Sequence, residues 1–135
     1  MAIQLKLFQH KDTNKETDGK WYAKSVCTEY VDINYLASKI SSHSPYSNGV
    51  VEGVIISLID EMECQMEDGK GVVLDHFGKF RYSVESELFD APEDFNPQKH
   101  IRKVKCHFTP LGIRDQFTHK IIYPLLEGLR FRREK

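Results

Sequence analysis

Apolar and polar positions alternate at the start of the chain. In IQLKLF (3 to 8), Ile3, Leu5 and Phe8 stand against Gln4 and Lys6, the period of a half-buried strand. HKDTNKETDGK (10 to 20) has no apolar residue and ends in Asp-Gly, which predicts a loop or a long hairpin turn. WYAKSVCTEYV (21 to 31) is rich in aromatic and β-branched residues and predicts a second strand. Residues 1–31 are thus expected to form an N-terminal β-hairpin, and residues 32–135 a single compact unit.

The period then lengthens. Asp32 is placed to cap a short helix, INYLASKIS, whose apolar face is Ile33, Leu36, Ala37 and Ile40. SHSPYSNG (42 to 49) is a turn cluster in which Ser47 or Asn48 can cap the next helix. From Val50 onward, Val51, Val54, Ile55, Leu58, Ile59, Met62 and Met66 recur at three- and four-residue steps, with Glu52, Asp60, Glu61, Glu63 and Glu67 off the stripe. The pattern predicts a helix of about twenty residues, roughly 30 Å long, stopped by Gly69. Its stripe serves either an internal core or a dimer seam. A helix of that length with short partners leaves much apolar surface to cover, which favours an intertwined dimer with Val51, Ile55, Leu58 and Met62 in a shared core.

VVLD (72 to 75) and FRYSVES (80 to 86) predict strands joined by the turn HFGK, with Val72 and Leu74 entering the core. Gly78 is expected to permit the turn, with Phe77 and Phe80 packed beneath it. LFDAPEDFNPQKH (88 to 100) predicts a loop or an extended arm. IRKVKCHF (101 to 108) predicts another strand, with Val104, Cys106 and Phe108 on one face and Lys103, Lys105 and His107 on the other. Ile113, Phe117, Ile121, Ile122, Leu125 and Leu126 predict a closing helix, broken or kinked at Pro124, followed by a solvated basic tail, RFRREK. The order is β-β-α-α-β-β-(arm)-β-α, an α+β class, with no internal repeat.

Composition changes this picture little. The 135 residues suit one domain, and 40% hydrophobic and 29% charged residues are ordinary for a globular chain. The net charge of −1 gives no bulk argument for nucleic acid, but its distribution is uneven. Residues 28–70 carry two lysines against eight acids. Residues 96–110 carry Lys99, Arg102, Lys103 and Lys105 with no acid. Cys27, Cys64 and Cys106 are far apart and odd in number, which argues for reduced, mostly buried thiols in a cytoplasmic protein rather than a disulfide or zinc framework. The N-terminus has no secretory pattern, and the longest apolar-leaning segment, Val50 to Ile59, cannot span a bilayer. The histidines are scattered, and no nucleophile elbow, phosphate loop or paired-carboxylate signature occurs. The expectation is a non-enzymatic protein without cofactor, metal or small-molecule substrate. Trp21, Tyr22, Tyr30 and Tyr35 are expected to fill the hairpin core rather than form stacking platforms.

Residues 32 to about 115 resemble the bacterial histone-like HU/IHF family. NYLASKIS is similar to the family's first helix. The signature Leu-x-x-Gly-(two residues)-Val-x-Leu-x-x-Phe-Gly-x-Phe reads here as Met66, Gly69, Val72, Leu74, Phe77, Gly78 and Phe80. Phe108-Thr109-Pro110 resembles the family's Phe-x-Pro-Gly close, and the extra hairpin resembles HU-related proteins of Bacteroides-type bacteria. The resemblance implies an intertwined homodimer with a helical base that includes Phe77 and Phe80, a saddle of two sheets, and β-arms that kink DNA through a proline near each tip. It implies a cytoplasmic, nucleoid-associated protein that binds and condenses double-stranded DNA with little sequence preference.

The same resemblance puts Arg81, Lys103, Lys105 and His107 on the saddle, with Lys79 in the turn beside it and Lys99 and Arg102 along the basic stretch. A solvated outer sheet face would also collect such residues. Asn96-Pro97-Gln98 resembles the family's arm motif, which would make Pro97 the wedge; the residues themselves favour an ordinary loop proline. The motif departs at Phe95, where the family has Arg, at Lys99-His100, where it has Thr-Gly, and in the acidic run DAPED before it. Those acids support an alternative, a dimeric scaffold or protein-interaction module on the same fold with reduced DNA binding.

Overall fold

The computed structural model describes residues 1–11, 13 and 16–134. Asp12, Asn14 and Lys15 of the polar N-terminal connection, and Lys135 of the basic tail, lie outside the described residues. Two strands, β1 (Ile3–Gln9) and β2 (Trp21–Val26), pair antiparallel from Gln4↔Val26 to Gln9↔Trp21. The hairpin is as expected, although β2 ends at Val26, short of Val31. Near its turn His10 and Lys20 are backbone-bonded, and Gly19 takes φ +83°, a conformation costly for a residue with a Cβ.

Helix α1 (Ile33–Ser42) starts where Asp32 accepts a hydrogen bond from the Tyr35 N–H. Helix α2 (Asn48–Glu67) starts where the Ser47 hydroxyl accepts from the Val50 N–H. Its end satisfies the last carbonyls through Gly69 N–H to Met66 and Lys70 N–H to Gln65, with Gly69 at φ +82°. The two helices pack against each other around Ala37 and Val51.

The chain then forms β3 (Val72–Leu74), β4 (Gly78–Ser86) and β5 (Ile101–Pro110), an antiparallel sheet in the order β3-β4-β5. Phe77, Phe80 and Phe108 meet at ring-centroid separations of 4.9 to 6.2 Å and close its base. Gly78 serves a different purpose from the expected turn. It is His76 that takes the left-handed conformation, at φ +72°. A Cβ on Gly78 would lie 2.4 Å from the Thr109 carbonyl oxygen and 2.5 Å from a Phe108 ring carbon, so the glycine lets β5 and its phenylalanine approach.

The expected closing helix is absent. Ile113, Ile121 and Ile122 lie instead in a short antiparallel hairpin of β6 (Ile113–Arg114) and β7 (Ile121–Ile122). Turn chemistry overrides the apparent helical spacing. Asp115 accepts from the Phe117 N–H, His119 adopts φ +58°, and Gly112 lies where a Cβ would come within 2.7 Å of Ile121. Pro124 opens a 3-10 turn over Pro124–Leu126, which holds Leu125. Nor is the basic tail a frayed end. Residues Phe131–Arg133 form β8, which pairs in parallel with β1 through Ile3↔Phe131 and Leu5↔Arg133 and completes a sheet of order β2-β1-β8.

Little of the protomer is buried. Among the described residues only Ala37, Val51 and Met66 form a buried apolar core. The chain exposes 11926 Å², whereas a compact chain of this size exposes about 7,300 Å². Val54, Leu58 and Ile59 in the middle of α2 are exposed, as are Tyr82, Val84, Val104 and Phe108 on one face of the β3-β4-β5 sheet. Of the six residues expected in a dimer core, Val51 is buried within the protomer, Ile55, Met62 and Phe80 are half-buried, and Leu58 and Phe77 are exposed. The expected buried thiols are a correction: Cys27, Cys64 and Cys106 are all free and exposed. So are the aromatics expected to fill the hairpin core, Trp21, Tyr22, Tyr30 and Tyr35.

Candidate nucleic-acid interface

Register decides which side chains share a face. In an antiparallel pair, directly opposed residues project to the same side, and residues two apart along a strand do too. Strands β4 and β5 pair Lys79↔Thr109, Arg81↔His107, Ser83↔Lys105 and Glu85↔Lys103. Lys79, Arg81, Lys103, Lys105 and His107 therefore stand on one face. Lys79, expected in the turn, lies in β4 and joins the others. The opposite face carries Phe80, Tyr82, Val84, Val104, Cys106 and Phe108.

The basic face carries one carboxylate. Glu85 forms an ion pair and hydrogen bond with Lys105 across the strands, and both side chains stay substantially exposed. In that setting the pair adds little stability, but it draws on one of the cations that would meet a polyanion. Along the face the balance is four Lys or Arg against Glu85.

The other expected contact residues lie elsewhere. Register shifts between Glu85 and Ser86, so Arg102 has no partner opposite it and sits in a bulge at the end of the ladder. Asn96, Pro97 and Lys99 belong to the connection between β4 and β5. That connection is a folded loop, one of the two readings its residues allow, and not the β-arm that the resemblance implies. Glu87 N–H bonds the His100 carbonyl, closing the segment on itself. Within it are a 3-10 turn, Pro92–Asp94, and a single helical turn, α3 (Pro97–His100).

The short length of this connection and its capping chemistry explain the difference. Asn96 caps α3 by accepting from the Gln98 N–H, and Pro97 occupies the first helical position, where its missing N–H costs nothing. His100 Nδ1 accepts from the Asn96 N–H. Phe89, Phe95 and His100 stack at centroid separations of 5.2 to 6.0 Å. Phe95, which stands where an arm motif would have arginine, is thus an anchor of the folded loop. Pro97 is exposed but starts a helical turn rather than capping an extended tip.

No group of three or more His, Cys, Asp or Glu side chains among the described residues is placed to hold a metal ion, and no described helix is long and apolar enough to cross a membrane. Among curated proteins, none matches the chain. Residues 1–121 match a family described as "HU domain fused to wHTH, Ig, or Glycine-rich motif". The match takes in the first hairpin, both helices, the β3-β4-β5 sheet and its connection, and reaches β7.

Proposed function

Because the chain belongs to the family of HU domains fused to wHTH, Ig or glycine-rich motifs, we propose that it is a non-enzymatic, histone-like protein that binds duplex DNA through the basic face of β4 and β5. The observation that carries this reading is the common projection of Lys79, Arg81, Lys103, Lys105 and His107, set by the strand register. Cations on a rigid sheet neutralise phosphates and release counterions without reading base sequence. The binding is therefore salt-sensitive and weakly specific, as suits a protein of the bacterial nucleoid in the cytoplasm.

The acting species in this reading is a homodimer. Its support is the large unburied area, with open apolar residues on the middle of α2 and on the inner face of the sheet. Two such protomers would share one core and set their basic faces side by side as a saddle. Bending is modest, because the folded 87–100 loop offers no extended arm to enter a groove.

Titration of duplex DNA with the full chain at two salt concentrations tests the reading, alongside a variant with Arg81, Lys103 and Lys105 all changed to Glu. Salt-dependent binding that the triple variant abolishes supports it. A well-folded dimer that ignores duplex DNA at low salt refutes it. That outcome would favour a scaffold on the same fold, a reading for which the acidic, folded loop with Glu87, Asp90, Glu93 and Asp94 is the specific observation.

A further inference from the structure

The sheet formed by β2, β1 and β8 has two unlike faces. Ile3, Leu5, Leu7, Trp21, Ala23 and Phe131 project to one side, a mainly apolar underside that also carries Gln9, Ser25 and Arg133. The other side carries Phe8 opposite Tyr22, Lys6 opposite Lys24, and Arg132 opposite Gln4. The Phe8 and Tyr22 rings stack at 5.9 Å with 26° between their planes, and both remain exposed. Lys24 Nζ lies 5.9 Å from the Phe8 centroid and 5.5 Å from that of Tyr22, and Lys6 Nζ lies 6.0 Å from Phe8. His10 meets the Tyr22 ring edge-on at 6.1 Å.

This arrangement is poor as a structural device. Like charges directly opposed across a strand pair are destabilising. Among the described residues neither Lys6 nor Lys24 has an ion-pair partner. The two stacked rings also leave apolar area in water beside those charges. A polyanion with stackable bases resolves both: phosphates separate the lysine charges, and bases extend the ring stack. Alternation also brings Glu134, whose N–H bonds the Leu5 carbonyl, to the margin of this face, so it holds three Lys or Arg and one carboxylate.

We propose that this face, centred on Phe8, Tyr22, Lys6, Lys24 and Arg132, is a second nucleic-acid site that takes the unpaired bases of single-stranded DNA or RNA. It is separate from the basic face of β4 and β5 and does not depend on it. Rings on adjacent strands give base stacking with little sequence preference, and the flanking cations follow the backbone.

The test uses the full chain with end-labelled oligothymidylate and oligouridylate at low salt, and the same strands carrying 2-aminopurine. Binding with quenched 2-aminopurine fluorescence is expected, since quenching reports stacking. Changing Phe8 and Tyr22 together to Ala is expected to weaken single-strand affinity about five- to a hundredfold, while Phe8→Trp with Tyr22→Phe retains it. Because the alanine pair also removes packing, Lys6→Glu with Lys24→Glu provides an independent variant, which is expected to lower affinity with both rings in place. The Arg81, Lys103 and Lys105 triple variant is expected to keep single-strand binding, and comparison of the two oligonucleotides separates DNA from RNA. Absence of single-strand binding, affinity unchanged in both double variants, or loss of it only in the β4–β5 variant would overturn the proposal.

Discussion

Glu85 is the residue whose removal should strengthen DNA binding. It is the one carboxylate on the β4–β5 basic face, and it holds Lys105. Each phosphate contact contributes about −0.9 to the slope of log affinity against log salt. With Lys79, Arg81 and Lys103 engaged and Lys105 held by Glu85, a two-fold dimer makes six such contacts, a slope of about −5.4. Freeing Lys105 in both protomers raises this to eight contacts and a slope of about −7.2. Glu85→Gln keeps the shape and a hydrogen-bond acceptor while removing the charge. The expected result is tighter binding at low salt and a slope steeper by about 1.8, read by anisotropy over a salt series. The ion pair is exposed, so loss of folding stability should be under about 1 kcal/mol. An unchanged slope, or weaker binding at every salt concentration, would refute the assignment of this face.

Other expectations concern the scaffold. Gly78→Ala puts a methyl group 2.4 Å from a backbone carbonyl oxygen that cannot rotate away, so it should cost about 3 kcal/mol in chemical denaturation; a wild-type midpoint would show that β5 yields easily. Leu58→Glu places a charge on the open middle of α2, and sedimentation should show dissociation with a large fall in stability. The wild-type melting temperature should rise with protein concentration, and a concentration-independent melt of a monomer would disprove the shared core. Asp115 titrates below the usual carboxylate range, because its carboxyl accepts from the Phe117 N–H and then from the Thr118 side chain. A depressed folded value means that the turn's ordering is present above the ordinary carboxylate range and is lost as pH falls through the lowered value. Protection of the Phe117 amide, measured against the intrinsic exchange rate at each pH, should fall in acid, and Asp115→Ala should show the lowered protection already at neutral pH.

Local chemistry made much of this protein legible from its sequence. Asp32, Ser47 and Gly69 mark both helices because capping is satisfied within a few residues. The β4 and β5 alternation names its basic face because side-chain direction follows parity along a strand. The HU-like segment was readable through Met66, Gly69, Val72, Leu74, Phe77, Gly78 and Phe80, and the family match covers it. Where the reading failed, distant or competing partners decided. Ile113, Phe117, Ile121 and Leu125 are spaced like a helix, but Asp115, His119 and Gly112 turn the chain into a hairpin. Arg132 looked like a frayed tail because its partner strand lies at the other end of the chain. Asn96 and Pro97 suit an arm tip as well as a helix start, and the short connection, its capping bonds and the Phe89, Phe95 and His100 stack chose between them. The sequence alone thus determined the caps, the strand faces and the family. Tertiary structure decided the pairing of β8 with β1 and the company of Phe8, Tyr22 and the lysines, because cross-strand neighbours are set by register between segments that composition and period cannot connect.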